Sequence, residues 1–386
     1  MAHPGDDASP RESKRRGAPL SRIVQAIEAV APLGLSEDWD RSGLQVGDPN
    51  AAVRTVLISL DPSAAAVAEA ARIGAELIVT HHPLLLEPLR NLDLSFAPAR
   101  VAAECLRQGL AIYSCHTNLD RAEGGVNDLL AALLGLERVR ALSAGEEQLK
   151  LVVTVPLGYE PRIRRALARA GAGWIGNYSG CTFGSRGVGS FRPEAGANPF
   201  LGEEGREETV EEVRLEAIVP KSRAQQAHRA VVEAHPYEEV ALDLYPLATR
   251  STRGALGRVG ELPAPKPLGR WAAEVAQRLG AAGVRVVGDP AAEIRTAAVC
   301  GGSGASLWRE AQRAGAQCLV TGDVKYHTAR DAEEAGLSIV DAGHWATEAP
   351  ALEALRRELT GWASRTKTEL RVEVFREPDP FRWVSP

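Results

Sequence analysis

The chain has 386 residues, of which 45% are hydrophobic and 25% are charged, and its formal net charge at pH 7 is −5. This composition is typical of a globular protein with two or three compact units. The acidic balance argues against a nucleic-acid partner bound through charge, and the lack of a long apolar run argues against a membrane partner.

The N-terminal segment 1–19 is polar and basic without an apolar stretch. It predicts a disordered leader and excludes a secretory signal. Five scattered cysteines form no C-x-x-C pair. This usage indicates a reduced protein without a thiolate metal site, so we expect a cytoplasmic location.

The segment 20–148 alternates between predicted strands and predicted helices. The strands are expected at 44–46, 56–60, 77–80 and 111–113, and the helices at 64–73, 101–107 and 126–134. This order predicts an α/β fold with a largely parallel sheet covered by helices. In such sheets ligands bind at the carboxyl ends of the strands.

The segment 149–249 has a different pattern. Its predicted order is strand 151–155, helix 161–170, a glycine-rich hairpin region at 180–191, strand 210–219, helix 222–234 and strand 240–245. This βαββαβ order predicts a ferredoxin-like inserted domain, and the Gly- and Pro-rich residues 250–267 are expected to form the return linker. The acidic run 203–212 is more typical of a solvated loop than of a binding surface.

The segment 250–375 repeats the pattern of the first half. Residues 55–83 align without a gap on 296–324, which places Gly322 and Asp323 where His81 and His82 stand. The core is therefore predicted to consist of two related α/β halves, followed by a tail at 376–386. The alternative is a chance resemblance between two common βαβ units.

Three loops carry side chains of the kind that bind metal ions. His81 and His82 end an apolar run, and Pro83 takes the chain out of strand geometry, as two adjacent histidines must if they are to serve one site. His116 and Asp120 follow the next strand, and His344 and Glu348 follow a strand of the second half.

The third of these loops leads into a helix. A spacing of four could place His344 and Glu348 on one helix face. Because proline belongs in the first turn of a helix, Pro350 favours Thr347 as the cap, with His344 on the loop and Glu348 in the first turn. Either geometry lets both side chains reach one site. Three histidines and two carboxylates suit two divalent ions bridged by a carboxylate and a water better than they suit a lone structural zinc.

Four motifs support a family resemblance, and they occur in the order Thr80-His-His-Pro83, His116-Thr-Asn-Leu-Asp120, Gly322-Asp-Val-Lys-Tyr-His327 and Gly343-His-Trp-Ala-Thr-Glu348. The sequence resembles the NGG-interacting-factor-three-like family of dinuclear-metal hexameric proteins, often named as homologues of type-two GTP cyclohydrolase I. The resemblance implies two divalent metal ions, with Glu348 as the bridging ligand, and a toroidal homohexamer. The ligands it implies are His81, His82, Asp120, His344 and Glu348.

The central segment has a resemblance of its own. Through Gly171-Ala-Gly-Trp-Ile-Gly-Asn-Tyr178 and His235-Pro-Tyr-Glu-Glu-Val240 it is similar to the PII-like or CutA-like inserted domain of the family's long form.

Other polar residues lie near these motifs. Four residues are candidates for orienting the ligands or transferring protons, or they cap strands and helices: His116, Asp323, Lys325 and His327. The loop from Cys300 to Gly304 is a phosphate-binding loop or a simple tight turn. It lacks both the dinucleotide-binding fingerprint and the Lys-Ser/Thr pair of a P-loop.

The predicted function is that of a dinuclear metal-dependent hydrolase. It would use metal-activated water on a small nucleotide-like substrate, and the family resemblance suggests GTP ring opening. The alternative is a non-enzymatic metal-dependent scaffold or regulator whose inserted segment binds a small molecule or a partner. Histidine and carboxylate ligands leave Zn, Fe, Mn and Co open as the metal.

Overall fold

The structure is a computed structural model, and it describes residues 17–176, 178–251 and 254–382. The chain divides into two compact units. The core unit contains the described residues of Met1–Ser143 and Ala255–Pro386, and the inserted unit contains those of Ala144–Gly254. Most of the predicted leader, residues 1–16, and the end of the predicted tail, residues 383–386, lie outside the described residues.

The first stretch of the core unit contains β1 (Ala18–Pro19), α1 (Leu20–Val30), β2 (Gly43–Val46), β3 (Ala52–Val53), β4 (Thr55–Ser59), α2 (Ala64–Ile73), β5 (Leu77–Thr80), α3 (Ala97–Gln108), β6 (Ala111–Ser114), α4 (Thr117–Arg121), α5 (Val126–Leu133) and β7 (Glu137–Ala141). The inserted unit contains β8 (Glu147–Pro156), α6 (Glu160–Arg169), β9 (Thr182–Phe191), β10 (Glu208–Pro220), α7 (Ala224–Ala234) and β11 (Leu242–Arg250). The second stretch of the core unit contains β12 (Arg258–Pro267), α8 (Leu268–Leu279), β13 (Arg285–Val287), β14 (Glu293–Val299), α9 (Trp308–Arg313), β15 (Cys318–Thr321), α10 (Tyr326–Glu334), β16 (Ser338–Asp341), α11 (His344–Glu348), α12 (Pro350–Thr366) and β17 (Arg371–Val374).

One sheet of the core unit has the strand order β17-β4-β5-β6-β2. Its central pairs are parallel, and β2 runs antiparallel to β6. Strand β5 is buried along its whole length, as a continuous apolar run predicts for a central strand covered on both faces. Helix α2 begins at the Ser63 cap, whose hydroxyl accepts a hydrogen bond from Ala66 N, and it ends at Gly74 in the left-handed conformation.

The second sheet of the core unit has the order β13-β16-β15-β14-β12-β7. Its parallel pairs repeat the register of the first sheet: Val56 pairs with Leu77 in one sheet, and Ala297 pairs with Cys318 in the other. These are the residues that the sequence alignment superimposes. The two sheets therefore place the loops after β5 and β15 at corresponding positions.

The prediction that 250–267 is a linker is wrong for most of its length. Residues Arg258–Pro267 form β12, which pairs with β14 and β7. The register shifts between Glu261 and Lys266, across Pro263 and Pro265. Proline can be accommodated where the ladder is interrupted, so the strand continues on either side of this irregularity.

The predicted leader also needs a correction at its end. Residues Ala18–Pro19 form β1, which pairs with β3 (Ala52–Val53). Helix α1 starts directly after it and buries Leu20, Ile23 and Ile27. These contacts make the final residues of the predicted leader part of the core unit.

The inserted unit has a single four-stranded antiparallel sheet in the order β11-β8-β10-β9. The region predicted as a glycine-rich hairpin is one strand, β9, and it pairs along β10. Helices α6 and α7 pack on the sheet through a buried apolar cluster that includes Leu151, Ile163, Leu215 and Val231. This unit therefore has a hydrophobic core of its own.

In the part of the chain that the structure describes, no helix is both long and apolar enough to cross a bilayer.

Candidate metal centre

Two histidines follow the end of β5, and both imidazoles point toward the Glu348 carboxylate. The backbone N–H groups of His81 and His82 donate to the carbonyls of Ser59 and Leu60. The hydroxyl of Thr80 donates to the His82 carbonyl at 2.7 Å. These bonds bend the chain out of strand geometry, so that both imidazoles reach one site.

Three imidazoles share one mode of attachment. The Nδ1 atom of His81 lies 2.8 Å from the Cys115 carbonyl. The Nδ1 atom of His82 lies 2.8 Å from Asp61 Oδ1, and that of His344 lies 2.7 Å from Asp323 Oδ2. A carbonyl or carboxylate at this distance holds the proton on Nδ1 and leaves the Nε2 lone pair free to bind a metal when the imidazole is neutral.

The three Nε2 atoms converge on Glu348. Its Oε2 lies 3.0 Å from His82 Nε2 and 3.0 Å from His344 Nε2, and its Oε1 lies 3.6 Å from His81 Nε2. One ligand atom from each of His81, His82 and Glu348 lies within 4.8 Å of the others. Asp120 joins the group, because its Oδ1 is 3.6 Å from His81 Nε2.

The geometry around α11 differs from the prediction. The helix begins at His344, so His344 lies on the helix, one turn before Glu348. Thr347 is therefore not a helix cap. Its hydroxyl donates to the carbonyls of the preceding turn and accepts a hydrogen bond from Gly302 N at 2.9 Å. Pro350 begins the next helix, α12, which is why α11 stops after Glu348.

The five side chains fit a bound cation. His81 Nε2 and Asp120 Oδ1 are buried, and among the described residues they have no hydrogen-bond partner. Leaving a buried polar atom unpaired costs about 1–3 kcal/mol. A divalent cation between these atoms would offset that cost, and imidazole with carboxylate is a common donor set for such ions.

The electrostatics of the cluster support the same conclusion. Burial opposes a charge on His82, but hydrogen bonds to Asp61 and Glu348 together outweigh it and raise the pKa of His82 to about 10. The hydrogen bond to Glu348 raises the pKa of His344 to about 9 despite burial. Although burial disfavours its charge, the surrounding imidazoles hold the pKa of Glu348 well below its usual range. Without a metal, the site takes up protons to balance its carboxylates.

Asp120 responds differently. Burial raises its pKa to about 6, an effect that the neighbouring histidines only partly counter. A cation at the site would reverse this shift, because it favours the charged carboxylate.

His116 lies beside the cluster and is held by its own carboxylate. Its Nδ1 is 2.7 Å from Asp40 Oδ1, and its ring centroid is 5.6 Å from that of His81 and 5.8 Å from that of His82. Burial raises the pKa of Asp40, but hydrogen bonds from His116 and Thr117 prevail and hold it well below its usual range. Asp40 is therefore a charged partner for His116.

Of the remaining candidates, Asp323 contacts the cluster and the others are exposed outside it. Asp323 contacts His344, whereas His327 is exposed on α10 with its ring 5.4 Å from that of Tyr326. Within the described residues, no hydrogen bond or ion pair joins His327 to the cluster. Lys325 is exposed at the N-cap of α10.

The loop from Cys300 to Gly304 is next to Glu348 and behaves as a tight turn. The N–H groups of Gly301, Gly302 and Gly304 donate to side chains of Asn127, Thr347 and Thr321. Because these donors are already engaged, they are not free for a phosphate. A Cβ atom at residue 302 would lie 2.1 Å from Glu348 Oε1, so the loop passes directly over the bridging candidate.

Sequence reasoning missed Asp61 as a partner of His82. A signal was present, because Asp61 follows the buried strand β4 and the carboxyl ends of parallel neighbours lie at one edge of a sheet. The Cys115 carbonyl carried no comparable signal, since a backbone contact leaves no residue-type preference.

Comparison with known proteins identifies the family of this chain. The Duf34/NIF3 (NGG1p interacting factor 3) family matches residues 18–380. A protein of Halalkalibacterium halodurans named GTP cyclohydrolase 1 type 2 homolog is 43% identical over 324 residues, which cover 83% of this chain and 87% of that protein. The Bacillus subtilis protein of the same name is 40% identical over 366 residues, with 94% and 98% covered.

A solved structure is similar over nearly the whole length. The crystal structure of a Bacillus cereus protein related to NIF3 matches with a TM-score of 0.81 and 40% identity, covering 96% of this chain and 100% of the other. The chain therefore belongs to the Duf34/NIF3 family.

Proposed function

We propose that this protein is a dinuclear metal-dependent hydrolase acting on a small nucleotide-like substrate. The observation that carries the proposal is the convergence of three imidazole Nε2 atoms on one buried glutamate. In this proposal the ligands of two divalent ions, Zn, Fe, Mn or Co, are His81, His82, Asp120, His344 and Glu348, and Glu348 is the bridging ligand. Ions bound there would lower the pKa of a coordinated water and polarise a substrate oxygen.

The chain's own residues supply the remaining roles. Asp61, Asp323 and the Cys115 carbonyl hold the three imidazoles in the tautomer that exposes Nε2. His116 is the best-placed group for moving a proton to or from the substrate, because Asp40 fixes its Nδ1 beside the cluster. His327 is exposed on α10, and among the described residues no hydrogen bond or ion pair joins it to the cluster, so we assign that role to His116.

An aromatic surface beside His116 supports a planar substrate. Trp39 is 58% exposed, and its ring lies 5.8 Å from that of His116 in an edge-on arrangement. An exposed indole next to polar groups can stack on a heterocyclic base. Relatives named as homologues of GTP cyclohydrolase 1 type 2 make GTP the first substrate to test.

The test has two steps. Metal content is measured on protein purified without a metal-affinity tag, for the wild type, Glu348→Ala and the exposed control Glu334→Ala. About two metals per chain in the wild type and the control, and fewer in Glu348→Ala, are expected. Wild-type protein that binds none of Zn, Fe, Mn or Co would refute the metal centre.

Turnover of GTP and other nucleotides is then followed with metal-loaded protein. In a His116→Gln variant that keeps its metal, the rate should fall on the order of 100-fold or more. Equal rates in the variant and the wild type would remove His116 from the mechanism.

The alternative is a metal-dependent scaffold or regulator. It is favoured by the inserted unit, which has its own sheet and hydrophobic core and contributes none of the five proposed ligands. Full metal occupancy together with no turnover of any nucleotide would favour this alternative.

We also propose that the core unit consists of two related halves. Support comes from the matched registers of β4–β5 and β14–β15, and from the motif Val46-Gly-Asp-Pro49, which recurs as Val287-Gly-Asp-Pro290. In both copies the valine is the last residue of an edge strand, β2 or β13, which runs antiparallel to the third parallel strand of its sheet. For the inserted unit, the βαββαβ order and antiparallel sheet support a ferredoxin-like fold of the PII or CutA type.

The assembly we propose is a homohexamer. Four large apolar side chains between 86 and 96 are exposed, as expected for a surface covered by another subunit: Leu86, Leu92, Leu94 and Phe96. Static light scattering at micromolar concentration should give a mass six times that of the 41.1 kDa chain. A monomer at micromolar concentration would contradict the proposal. The cytoplasmic location stays a prediction.

A further inference from the structure

The inserted unit contains a cavity of its own, of about 310 Å³. This volume is at the small end of the range of roughly 300–1,000 Å³ found for ligand pockets. All of its lining residues belong to the inserted unit, whereas the five proposed metal ligands belong to the core unit. It is therefore a separate site.

Aromatic rings form one wall of this cavity. The Tyr237 ring centroid lies 6.4 Å from that of Phe191 and 6.1 Å from that of Phe200, with tilted rings in both pairs. Phe200 also packs edge-on against Tyr159 at 5.6 Å. Phe200 is 44% exposed and Leu201 is 40% exposed at the cavity. Apolar side chains left open around a concave surface indicate that a ligand covers them.

The polar part of the lining is acidic. Glu212, Glu238 and Glu239 line the cavity, and no lysine or arginine does so among the described residues. Glu212, the last residue of the acidic run, is half-buried in β10, as the strand predicted at 210–219 implies. A carboxylate beside aromatic faces favours a positive charge on the occupant, through both ion pairing and cation–π attraction.

The positions of these groups are fixed before any ligand arrives. The Tyr237 hydroxyl donates to Glu212 Oε1 at 3.0 Å, and the Tyr237 N–H donates to His235 Nδ1 at 3.1 Å. A Cβ atom at Gly189 would lie 2.2 Å from Glu212 Oε2, so the glycine leaves room for the carboxylate. Asn198 N donates to Glu238 Oε2 at 2.8 Å, which ties the loop between β9 and β10 to this wall. A preorganised site loses less affinity on binding.

We propose that this cavity binds a small organic monocation, a protonated amine attached to an aromatic or apolar body. The charged group lies at Glu212, and the body lies against Tyr237 and the two phenylalanines. The proposal assigns a binding site to the inserted unit and does not depend on the activity of the metal centre.

The test uses three probes of similar shape and different charge on the full chain: 2-phenylethylamine, 2-phenylethanol and phenylacetate. Isothermal titration calorimetry is expected to show binding of the amine about tenfold or more tighter than the alcohol, a difference of at least about 1.4 kcal/mol. Phenylacetate is expected not to bind. The affinity for the amine should weaken as NaCl is added.

Variants separate a specific site from general acidity. Glu212→Gln keeps the shape and should remove the preference for the amine, whereas Glu211→Gln changes the net charge equally on the neighbouring residue and should keep it. Phe200→Ala should weaken the binding of the amine and of the alcohol alike. Circular dichroism shows whether each variant is folded. If Glu212→Gln does not fold, the loss of binding in Phe200→Ala serves as the test of the site.

Three outcomes would overturn the proposal. These are equal affinity for the amine and the alcohol, the same loss in Glu211→Gln as in Glu212→Gln, and no binding of any probe. The last is expected if a second copy of the chain fills the cavity. A fourth result, displacement of the amine by millimolar Mg²⁺ through direct competition, would also overturn the proposal and reassign the site to a metal ion.

Discussion

The partners of the imidazole Nδ1 atoms differ in charge, although they perform the same task. His81 is held by a neutral carbonyl, while His82 and His344 are held by aspartates. A carboxylate partner makes an imidazole a more basic ligand than a carbonyl partner does. Asp61 and Asp323 should therefore tune affinity without themselves touching a metal.

We predict that Asp61→Asn and Asp323→Asn each weaken Zn²⁺ binding on the order of tenfold to 100-fold. An asparagine loses the charge and can turn its NH₂ group toward Nδ1, which favours the wrong tautomer. Competition with a chromogenic chelator measures the affinity, with the exposed Asp331→Asn as the control. Unchanged affinity in both variants would show that the aspartates do not orient the ligands.

Metal binding should release protons. In the metal-free protein the pKa values of His82 and His344 are raised to about 10 and about 9, so at pH 8 both rings are cationic, with protons on both nitrogens. A metal needs the lone pair, so about two protons leave when it binds, and affinity falls as the pH is lowered. Calorimetric titration with Zn²⁺ in buffers of different ionisation enthalpy measures this number. An enthalpy that is independent of the buffer would contradict the prediction.

The loop between β14 and α9 supports the site through close backbone approach. Gly302 has a φ of +60° and lies directly over Glu348. Gly74, at the end of α2, has a φ of +69°, and a Cβ atom there would meet nothing within 4 Å. Substituting Gly74 therefore tests the effect of backbone strain alone, and substituting Gly302 tests strain together with contact with Glu348.

We predict that Gly302→Ala lowers stability by about 1–3 kcal/mol and also reduces metal content, because the new methyl group displaces the Glu348 carboxylate. Gly74→Ala should show the backbone cost alone and keep its metal. Urea unfolding and elemental analysis give the two quantities. Equal metal content in both variants would argue against close packing of the loop on Glu348.

The elements that carry ligands were largely predictable from the sequence. Buried apolar runs that end in His81 and His116 indicated strand ends, and the strand-helix order indicated a parallel sheet. Strand β12 was not predictable as a strand, because prolines and glycines are also the signature of a linker, and only its pairing with β14 distinguishes the two.

Within the site, the residue types were predictable and their partners were not. Histidine and carboxylate motifs pointed to the cluster, whereas the contact of His82 with Asp61 depends on two strands becoming neighbours. The helical position of His344 depended on where Pro350 starts a new helix, and Thr347 could equally have been a cap on sequence grounds. The repeated Val-Gly-Asp-Pro motif was readable in the sequence and would have strengthened the case for two halves.

The inserted unit has a hydrophobic core separate from those of the core unit. A buried group that titrates in the inserted unit should therefore change the stability of that unit alone. In the inserted unit, burial lowers the pKa of His235, and the hydrogen bond to the Thr154 carbonyl only partly offsets this. Its Nδ1 accepts the Tyr237 N–H, which requires a neutral ring. Below about pH 6.5 the unfolded chain binds a proton that the folded unit does not, so stability falls as the pH falls.

We predict that the inserted unit loses stability as the pH falls through about 6.5, the ordinary pKa of histidine, and that His235→Gln reduces this slope. The exposed His228→Gln, on α7, should keep it. Pulse proteolysis in urea, with peptides of 144–254 identified by mass spectrometry, reports on this unit alone. An identical slope in the wild type and His235→Gln would exclude His235 as the cause.

Strands β7 and β12 have a consequence for how this chain can be shortened. They are antiparallel neighbours, with Ala141 opposite Arg258, and the bonds from Leu142 N to the Gly257 carbonyl and from Ser143 N to the Leu256 carbonyl extend the ladder to the point where residues 144–254 depart. Without those residues, the two strands are the arms of a β-hairpin that lacks only its turn. An Asn-Gly turn joining 143 to 256 matches the twist of such a pair. A protein of 17–143 and 256–382 closed in this way should therefore fold and keep all five proposed ligands.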